Sequence, residues 1–391
     1  LENKKIILMD CCDIPDYIIS NTILSSELKK YYGANIVSYG DFPRKGKINQ
    51  IMNSMNIDHF LIKLDKKQNI KLEKIFKYII KKLTNKNELY NLKLSNVSIG
   101  IDIYETILKC GNPTINFGTL EMYENIYLGL KYLIYFEDLF KKKIVLSTCL
   151  SDNTYITTGI ITKLAYKYCV SVFHANPISI NRTEFENQLH SRFKKYREYF
   201  NKLSKKSKIK ATNNSKKLLS KRLKGKTKIK MFYQEKSAFT KKNIARQLND
   251  NAKIKIIVTT HCFYDNPNAY GDFLFKDFYD WLIFVGKISE KIKKKYEIYI
   301  KPHRDYLPGT IEVLNEIKNK FTNLKIIDPE TSFHQLKKEG AKISLTGYGS
   351  VGHELPLLGF LVINSGFNPH SNYSFNLHPK NKKDYKKILC N

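Results

Sequence analysis

The stretch LTGYGSVGHELPLLGFLVINSG, residues 345–366, indicates the fold more strongly than any other part of the sequence. A strand-like apolar run ends in a loop with three glycines and one serine, and a helix-like segment containing Glu354 leads to a second strand-like run. Strand, helix and strand in this order form the repeating unit of a parallel sheet. Glycines at a strand-to-helix turn let main-chain amides approach an anion, and a helix N-terminus adds a dipole that favours phosphate. We therefore predict a phosphate-binding turn, with a tight turn that serves packing alone as the alternative.

The same alternation extends along most of the chain and is interrupted once. Strand-like runs of the first part lie at 4–13, 34–40, 59–64, 97–104, 142–149 and 170–175. Those of the second part lie at 253–261, 296–303, 324–328, 341–347 and 360–366. The helical stretches between them lie at 18–32, 72–83, 119–140, 157–168, 273–294, 310–320 and 333–340. This alternation predicts an α/β protein with two parallel, Rossmann-like sheets.

The interruption divides the chain into three segments. We predict a Rossmann-like domain at 3–185, a Lys-rich helical junction at 186–250 and a second Rossmann-like domain at 251–391. Large apolar residues recur at helical spacing within the junction, which favours helices over a disordered basic segment. We expect the two domains to face a central cleft, with the ligand site where the carboxyl ends of the strands meet.

Charge and composition limit the classes of partner. The 391 residues carry a formal net charge of +31, which is typical of proteins that bind nucleic acid or an anionic surface. Nearly all of this charge is lysine, and joint abundance of Lys, Asn and Ile is what an AT-rich genome produces. Proteins that read bases favour arginine for bidentate contacts. We therefore predict no nucleic-acid partner and retain an anionic membrane surface or a phosphate-bearing substrate as the partner of this charge.

Cysteine usage and hydropathy indicate the compartment. Seven cysteines are spread without CxxC spacing, which suits a reducing environment. No stretch approaches the roughly 18 uninterrupted apolar residues of a membrane span, and no signal-peptide pattern opens the sequence. We expect a cytoplasmic protein, with peripheral attachment to the inner face of the cytoplasmic membrane as the alternative.

A second motif, KPHRDY at 301–306, directly follows a predicted strand. His303 is preceded by a proline at the carboxyl end of that strand, and Lys301 and Arg304 flank it. A histidine with basic neighbours can donate to phosphate groups and stabilise a leaving group. A structural histidine with satisfied hydrogen bonds is the alternative.

A third group of candidates follows the first strand of the second domain, within residues 260–282. His261 and Asp265 lie on this loop, at the sheet edge where the ligand site is expected. Glu354 lies one turn into the helix of the opening stretch, where it can accept hydrogen bonds from ribose hydroxyls. The predicted ligand-binding residues are His261, Asp265, Lys301, His303, Arg304, Thr346, Gly347, Tyr348, Gly349, Ser350 and Glu354.

The first domain supplies candidate general bases. The segment IGIDIYETILKCGNPTI, residues 99–115, brings Asp102 and Glu105 together just after a predicted strand. A carboxylate there can remove a proton from an acceptor hydroxyl. Asp152 follows another strand end and is a rival, and each of these acids also has a plain surface-loop interpretation.

These motifs together resemble a known family. The order KPHR, SLTGYGSVGHELPLLGFLVINSG and NPHSNYSFNLHPKNKKDY resembles the C-terminal half of bacterial GT-B glycosyltransferases of capsule and surface-carbohydrate synthesis, including the Kdo-transferring capsule enzymes. Those enzymes bind a nucleotide sugar with a KPHP-like strand end and a TGxGTxGxE-like loop. The segment IGIDIYETIL is similar to their GxxIYDxYLR motif. This chain departs from the family at Arg304 in place of proline, at Ser350 in place of threonine and at Lys109 in place of arginine.

The resemblance implies a GT-B fold and a role for individual residues. It implies that His303 and the main chain of Gly347 to Ser350 lie at the donor phosphates, with Glu354 at the ribose. It implies Glu105, or else Asp102 or Asp152, as the base on the acceptor side, with His303 assisting catalysis.

The resemblance also implies a type of reaction. Sugar would pass from a nucleotide donor, CMP-, UDP- or GDP-linked, to a surface polysaccharide or a lipid-linked precursor, with inversion. No cofactor or metal is expected, since no DxD motif clearly follows a strand; Asp10 and Asp13 are too far apart to form one. Two alternatives stay open: a non-hydrolysing sugar-nucleotide epimerase, and a noncatalytic polysaccharide assembly subunit at the membrane.

Overall fold

The protein is described by a computed structural model, which covers residues 4–12, 14–41, 43–184, 188–226, 237–242, 244–271 and 273–390. Asp13 and residues 227–236 of the predicted junction lie outside the described residues. The chain forms two compact units, Leu1–Leu189 and His190–Asn391.

The first unit is built on a six-stranded sheet. Its strands are β1 (Ile6–Met9), β2 (Asn35–Gly40), β3 (Asp58–Leu61), β6 (Val145–Leu150), β7 (Ser171–Asn176) and β8 (Ser179–Thr183), and β4 (Lys93–Leu94) pairs with β5 (Val97–Ser98) in a separate hairpin. Its helices are α1 (Pro15–Tyr32), α2 (Gly46–Ser54), α3 (Lys66–Lys82), α4 (Lys86–Tyr90), α5 (Gly100–Lys109), α6 (Leu120–Lys141) and α7 (Ile160–Lys167), with a π-helical turn at Tyr155–Gly159 before α7. The strand order is β3-β2-β1-β6-β7-β8, and all neighbours are parallel except β7 and β8.

The two middle strands of this sheet, β1 and β6, position a pair of polar residues at their carboxyl ends. All four residues of β1 are fully buried, as expected for a central parallel strand covered on both faces. The chain leaves β1 toward β2 on one side and reaches β6 on the other, so the order of strands reverses between β1 and β6. The carboxyl ends of two such strands leave a crevice between them. Asp10 and Ser151 directly follow β1 and β6.

One predicted strand of this unit is wrong. The run 97–104 contributes only Val97 and Ser98 to a strand, and α5 begins at Gly100. Its β-branched residues fit a strand by propensity, but Ile103, Tyr104 and Ile107 place apolar side chains on a buried helical face. Gly100 also lies so close to the main chain of residues 89–92 that a Cβ would overlap it. Tertiary packing therefore overrides strand propensity here.

The second unit contains a five-stranded, fully parallel sheet. Its helices are α8 (Gln188–Lys202), which begins just before the boundary, α9 (Lys205–Leu223), α10 (Phe278–Ile292), α11 (Thr310–Lys320), α12 (Phe333–Lys338), α13 (Val351–Glu354) and α14 (Lys382–Cys390). Its strands are β9 (Ile254–Thr259), β10 (Tyr296–Lys301), β11 (Leu324–Ile326), β12 (Ala341–Thr346) and β13 (Leu361–Asn364). The strand order is β11-β10-β9-β12-β13, so here the order reverses between β9 and β12. Two Rossmann-like α/β units, the building blocks of the predicted GT-B fold, are confirmed.

One helix of the second unit begins later than predicted. The helix predicted from residue 273 begins at Phe278, because the buried Asp277 accepts a hydrogen bond from Asp280 N at 2.6 Å and caps the first turn. Trp281 then lies at the centre of the apolar core between α10 and the sheet. This core fixes the carboxyl end of β9, where the candidate site lies.

Helix α9, in the Lys-rich segment, is attached to the second unit by its last turn. The ring of His334 on α12 is hydrogen-bonded to Leu223 O at 2.7 Å. Gly225, with φ of 78°, lies directly against Thr240. Arg222 in the same turn reaches the loop after β12.

Candidate functional site

A cavity of about 170 Å³ lies in the second unit where the strand order reverses. It brings together eight of the predicted residues: His261, Lys301, His303, Arg304, Thr346, Gly349, Ser350 and Glu354. Arg222, Phe239 and Phe333 also line it. The carboxyl ends of β9, β10 and β12 thus converge on one concave surface, as the sequence predicted from its strand ends.

His303 is held as a hydrogen-bond donor. Its Nδ1 accepts a hydrogen bond from Asp305 N at 3.1 Å. Desolvation lowers the pKa of His303, and although the neighbouring Asp305 opposes this shift, the pKa stays below its ordinary value. A neutral imidazole whose Nδ1 accepts carries its proton on Nε2. His303 can therefore donate from Nε2 to a phosphate oxygen without being charged.

His261 belongs to the wall of the site. Its ring stacks on Phe278 at 5.0 Å and lies 4.4 Å from the ring of Tyr348, measured between centroids. Burial, with a contribution from His303, lowers the pKa of His261 to about 3, so the ring is neutral at physiological pH. Its Nε2 accepts a hydrogen bond from Tyr348 N at 3.4 Å. One main-chain amide of the loop is therefore already engaged by the protein.

Close approach by the protein's own side chains explains the glycines of the loop. A Cβ on Gly349 would lie 3.1 Å from Thr346 Oγ1 and 3.2 Å from His261 Nε2. A Cβ on Gly352 would overlap the buried ring of His370. The predicted cradle for phosphate stays a prediction, since packing by two histidines already requires small residues here.

The predicted helix after the loop is shorter than expected. It consists of one α-helical turn, α13, which continues as a 3₁₀ turn at Leu355–Leu358. Pro356 has no N–H to offer the carbonyl of Gly352, and Asn376 Nδ2 donates to that carbonyl instead. The loop is therefore followed by too little α-helix for a substantial dipole.

Lys301 and Arg304 are directed mainly at main-chain carbonyls. Lys301 is 3% exposed and donates to Pro329 O at 2.7 Å, and burial lowers its pKa to about 7. The buried guanidinium of Arg304 donates to the carbonyls of Ser237, Thr240 and Glu330. Both cations hold the walls of the cavity together, and their contact with a phosphate stays a prediction.

Glu354 has a partner that the sequence analysis missed. Its buried carboxylate forms an ion pair with Arg222 Nε, and Arg222 Nη2 donates to Ser350 Oγ at 3.0 Å. Arg222 is the single arginine of α9, whose other cations are lysines. That isolated arginine is the signal that could have identified it, although its distance of 132 positions from Glu354 gives no local pattern.

Three predicted residues do not line this cavity. Asp265 is exposed and accepts a hydrogen bond from Asn266 N at 2.8 Å within its own turn. Tyr348 turns away and donates from its hydroxyl to Asn266 O at 2.8 Å. Gly347 lies behind the loop against His261.

The acids predicted in the first unit have different surroundings from those expected. Asp102 and Glu105 are each 1% exposed and lie within α5 instead of directly after a strand, because 97–104 is mostly helical. Both oxygens of Asp102 accept from Lys163 Nζ, at 2.7 and 2.6 Å. Asp152 is half-buried and accepts from Asn153 N at 2.7 Å.

A fourth acid, missed as a candidate base, lies where the strand order reverses in the first unit. Asp10 is 4% exposed, and its carboxylate accepts from Ser151 Oγ and from Ser151 N, the latter at 3.1 Å. Burial raises the pKa of Asp10 to about 7, although the hydrogen bonds from Ser151 oppose that shift. Tyr155, with φ of 64°, opens the π-helical turn a few residues later. Left-handed non-glycine residues and π-helical turns are both common at functional sites.

Helices α8 and α9 present a basic surface with exposed apolar side chains. Helix α9 contains no acidic residue and no buried residue. Tyr199, Ile209 and Leu218 are 52%, 54% and 56% exposed. None of the described helices is both long and apolar enough to cross a membrane.

Comparisons with known proteins give structural similarities at low identity. No family model matches the chain, and no curated protein matches it. A KpsC β-Kdo 2,4 transferase of Thermosulfurimonas dismutans aligns with a TM-score of 0.40 and 12% identity, over 61% of this chain and 74% of its own. A glycosyltransferase of Rickettsia africae aligns with a TM-score of 0.30 and 11% identity, over 99% and 87%. MnaA of S. aureus, solved with UDP, aligns with a TM-score of 0.28 and 13% identity, over 98% and 87%.

These similar structures include Kdo transferases, the class that the motifs resemble. They also include UDP-GlcNAc 2-epimerases.

Proposed function

We propose that the protein is a glycosyltransferase that moves a sugar from a nucleotide-sugar donor to a bacterial surface polysaccharide or its lipid-linked precursor. The observation that carries this proposal is the cavity of the second unit, where His303 and Ser350 converge at the reversal of strand order. Ligands of open parallel sheets bind at such reversals. A neutral histidine donor, a hydroxyl and a nearby guanidinium are suited to phosphate oxygens.

The chemistry follows from charge that develops on the leaving nucleotide. As the acceptor oxygen forms its bond to the anomeric carbon, the bond from that carbon to the phosphate oxygen breaks. Negative charge then accumulates on the phosphate, where the Nε2–H of His303 can stabilise it. A single displacement with inversion requires only this stabilisation and a base, so we propose that it proceeds without a metal.

For the base we propose Asp10, acting through Ser151. The half-buried Ser151 hydroxyl donates to the Asp10 carboxylate, so a proton from the acceptor can pass to Ser151 Oγ while the serine proton passes to Asp10. A pKa of about 7 suits a base that works near neutral pH. Glu105, Asp102 and Asp152 are the competing bases, of which Asp102 is already paired with Lys163.

We further propose that the acceptor is approached at an anionic membrane surface through α8 and α9. The exposed aromatic and aliphatic residues of these helices lie among lysines, the combination that binds anionic lipid interfaces. Sedimentation with vesicles should show binding to phosphatidylglycerol that weakens with salt and is absent with phosphatidylcholine. Equal binding to both lipids would overturn this part of the proposal.

The direct experiment is a thermal-shift screen with CMP, CDP, UDP and GDP, followed by an assay with the matching nucleotide sugar. We expect one nucleotide to raise Tm, and release of that nucleotide to depend on an added glycan or lipid-linked acceptor. Conversion of the sugar nucleotide without any acceptor would instead identify an epimerase. If none of the four nucleotides raises Tm, the proposal is contradicted and a noncatalytic assembly subunit is favoured.

A further inference from the structure

We propose that Arg222, contributed by α9 from outside the Rossmann core, is the principal cation for the donor's phosphate groups, and that Glu354 is its positioning residue. This inference rests on the proposed function and deepens it. It gives Glu354 a role different from the ribose contact that the family resemblance implied.

The geometry places Arg222 at the cavity with donors to spare. Its side chain is 37% exposed, whereas that of Glu354 is 2% exposed. The ion pair to Glu354 uses Nε, and the bond to Ser350 uses one N–H of Nη2. A guanidinium has five N–H donors. The described contacts therefore leave donors on both terminal nitrogens of Arg222 for a ligand in the cavity.

The other cationic or ionisable donors that line the cavity are less suited to bind an anion. Lys301 donates to Pro329 O at 2.7 Å. Arg304 is 5% exposed and donates to three main-chain carbonyls, and its Nε, which has no hydrogen-bond partner, is buried. His261 and His303 are neutral by their lowered pKa values. Among the described residues around the cavity, Arg222 is thus the permanent positive charge with accessible donors.

Glu354 gives Arg222 a defined orientation before any ligand arrives. Removing a buried carboxylate from water is costly, and a guanidinium partner offsets that cost. The pair also restricts the long arginine side chain to one arrangement, so less conformational entropy is lost when an anion binds. The end of α9 is fixed in turn by the hydrogen bond between His334 and Leu223 O. The Lys-rich segment therefore contributes directly to the donor site.

The test is calorimetric titration of the full chain with CMP, CDP, UDP, GDP and inorganic pyrophosphate. We expect R222Q to weaken binding of the nucleotide that wild type binds by about 10- to 100-fold. This is the loss expected when a charge-assisted hydrogen bond to phosphate is removed. R222K should recover only part of this affinity, because lysine cannot bridge Glu354 and phosphate in the same way. K294Q removes an exposed charge from the same unit, away from α8 and α9, and should leave affinity unchanged.

A double-mutant cycle tests the role of Glu354. If Glu354 acts by orienting Arg222, E354Q weakens binding in the wild-type background but has little further effect in R222Q. Additive losses from E354Q and R222Q would show that Glu354 contacts the ligand independently, and would overturn its positioning role. Circular dichroism and Tm of each variant show that it is folded.

The outcomes separate this inference from the proposed function. If a nucleotide binds wild type, and R222Q binds that nucleotide equally tightly, the role of Arg222 is wrong and the donor-site proposal stands. If pyrophosphate binds in an Arg222-dependent manner and no nucleotide binds, the function is wrong and the anion site stands. If neither ligand binds wild type, both are wrong.

Discussion

The two units place opposite chemistry at the same topological position. In the first unit the strand order reverses between β1 and β6, and the group found there is the carboxyl of Asp10 with Ser151. In the second unit it reverses between β9 and β12, and the groups found there are His261, Thr346 and the glycine loop. Burial acts on both: it raises the pKa of Asp10 to about 7 and lowers that of His261 to about 3.

Desolvation thus favours the neutral form of Asp10 in the first unit and of His261 in the second, with different consequences. A carboxyl with a raised pKa exchanges protons near neutral pH, whereas a histidine with a lowered pKa stays neutral and serves as a fixed donor or acceptor. We propose that one fold, used twice, supplies proton acceptance in the first unit and anion recognition in the second.

The largest expected effect comes from the acid of the first unit. D10N should lower transfer rate by at least about 100-fold, since a general base contributes this much or more, while nucleotide affinity stays unchanged. S151A should give a smaller loss, because water can replace the hydroxyl. The rate of nucleotide release in the presence of acceptor, with calorimetry for affinity, checks both. The exposed Asp16 provides the matched control D16N. Full activity in D10N, together with loss of activity in E105Q, would identify Glu105 as the base and contradict the role proposed for Asp10.

The second effect concerns His303, the proposed hydrogen-bond donor to phosphate in the second unit. H303A should weaken nucleotide binding by about 10-fold through loss of one hydrogen bond to phosphate, and H303Q should recover part of it. Because the pKa of His303 lies below its ordinary value, the change in affinity from pH 6.5 to 8.5 should be the same in wild type and H303Q, in both of which Lys301, with a pKa of about 7, can titrate. Calorimetry of both proteins across that range measures this. A fall in affinity above pH 6.5 that H303Q does not show would mean that the charged imidazolium binds the ligand.

The third effect concerns the packing of the loop. G352A should destabilise the fold by about 1–3 kcal/mol, the usual cost of overpacking, since the new Cβ meets the His370 ring. Denaturant unfolding measures the change. H370A removes the ring, so the G352A/H370A protein should be no less stable than H370A alone. If G352A is as stable as wild type, the glycine is required by something other than this ring.

The fourth effect is a dependence of stability on pH. Asp10 titrates near 7 in the folded protein and near 3.9 when unfolded, so the folded state binds more protons between these values. Its contribution to stability is complete below about pH 4 and is lost as pH rises through 7, by at most about 1.4 kcal/mol per pH unit. The stability of wild type relative to D10N should therefore fall across this window. A constant difference would show that Asp10 has an ordinary pKa.

Local sequence patterns predicted most of the parallel strands, since buried parallel strands are continuous apolar runs with short polar ends. The antiparallel edge strand β8 (Ser179–Thr183) was missed, because its exposed polar residues give no apolar run. All five strands of the second sheet lie within predicted runs. The candidate site was predictable for the same reason, because motifs at the carboxyl ends of parallel strands share one edge of a sheet. Residues 97–104 were not predictable as a helix, because close packing at Gly100 decides their conformation.

Contacts between distant segments account for what the sequence could not show. Arg222 and Glu354 are 132 positions apart, and Asp10 and Ser151 are 141 apart. Neither pair has a spacing motif, and their meeting depends on the folding of whole sheets. The shortening of α13 likewise depends on Asn376, which takes the carbonyl that Pro356 leaves unbonded.

The proposed function requires that the cavity of the second unit bind the phosphates of a nucleotide sugar. A crystal structure with the nucleotide that most raises Tm tests it directly. We predict phosphate oxygens within hydrogen-bonding distance of His303 Nε2 and Ser350 Oγ. Phosphates bound instead in the separate groove lined by Leu219, Leu223 and Leu357 would contradict the account.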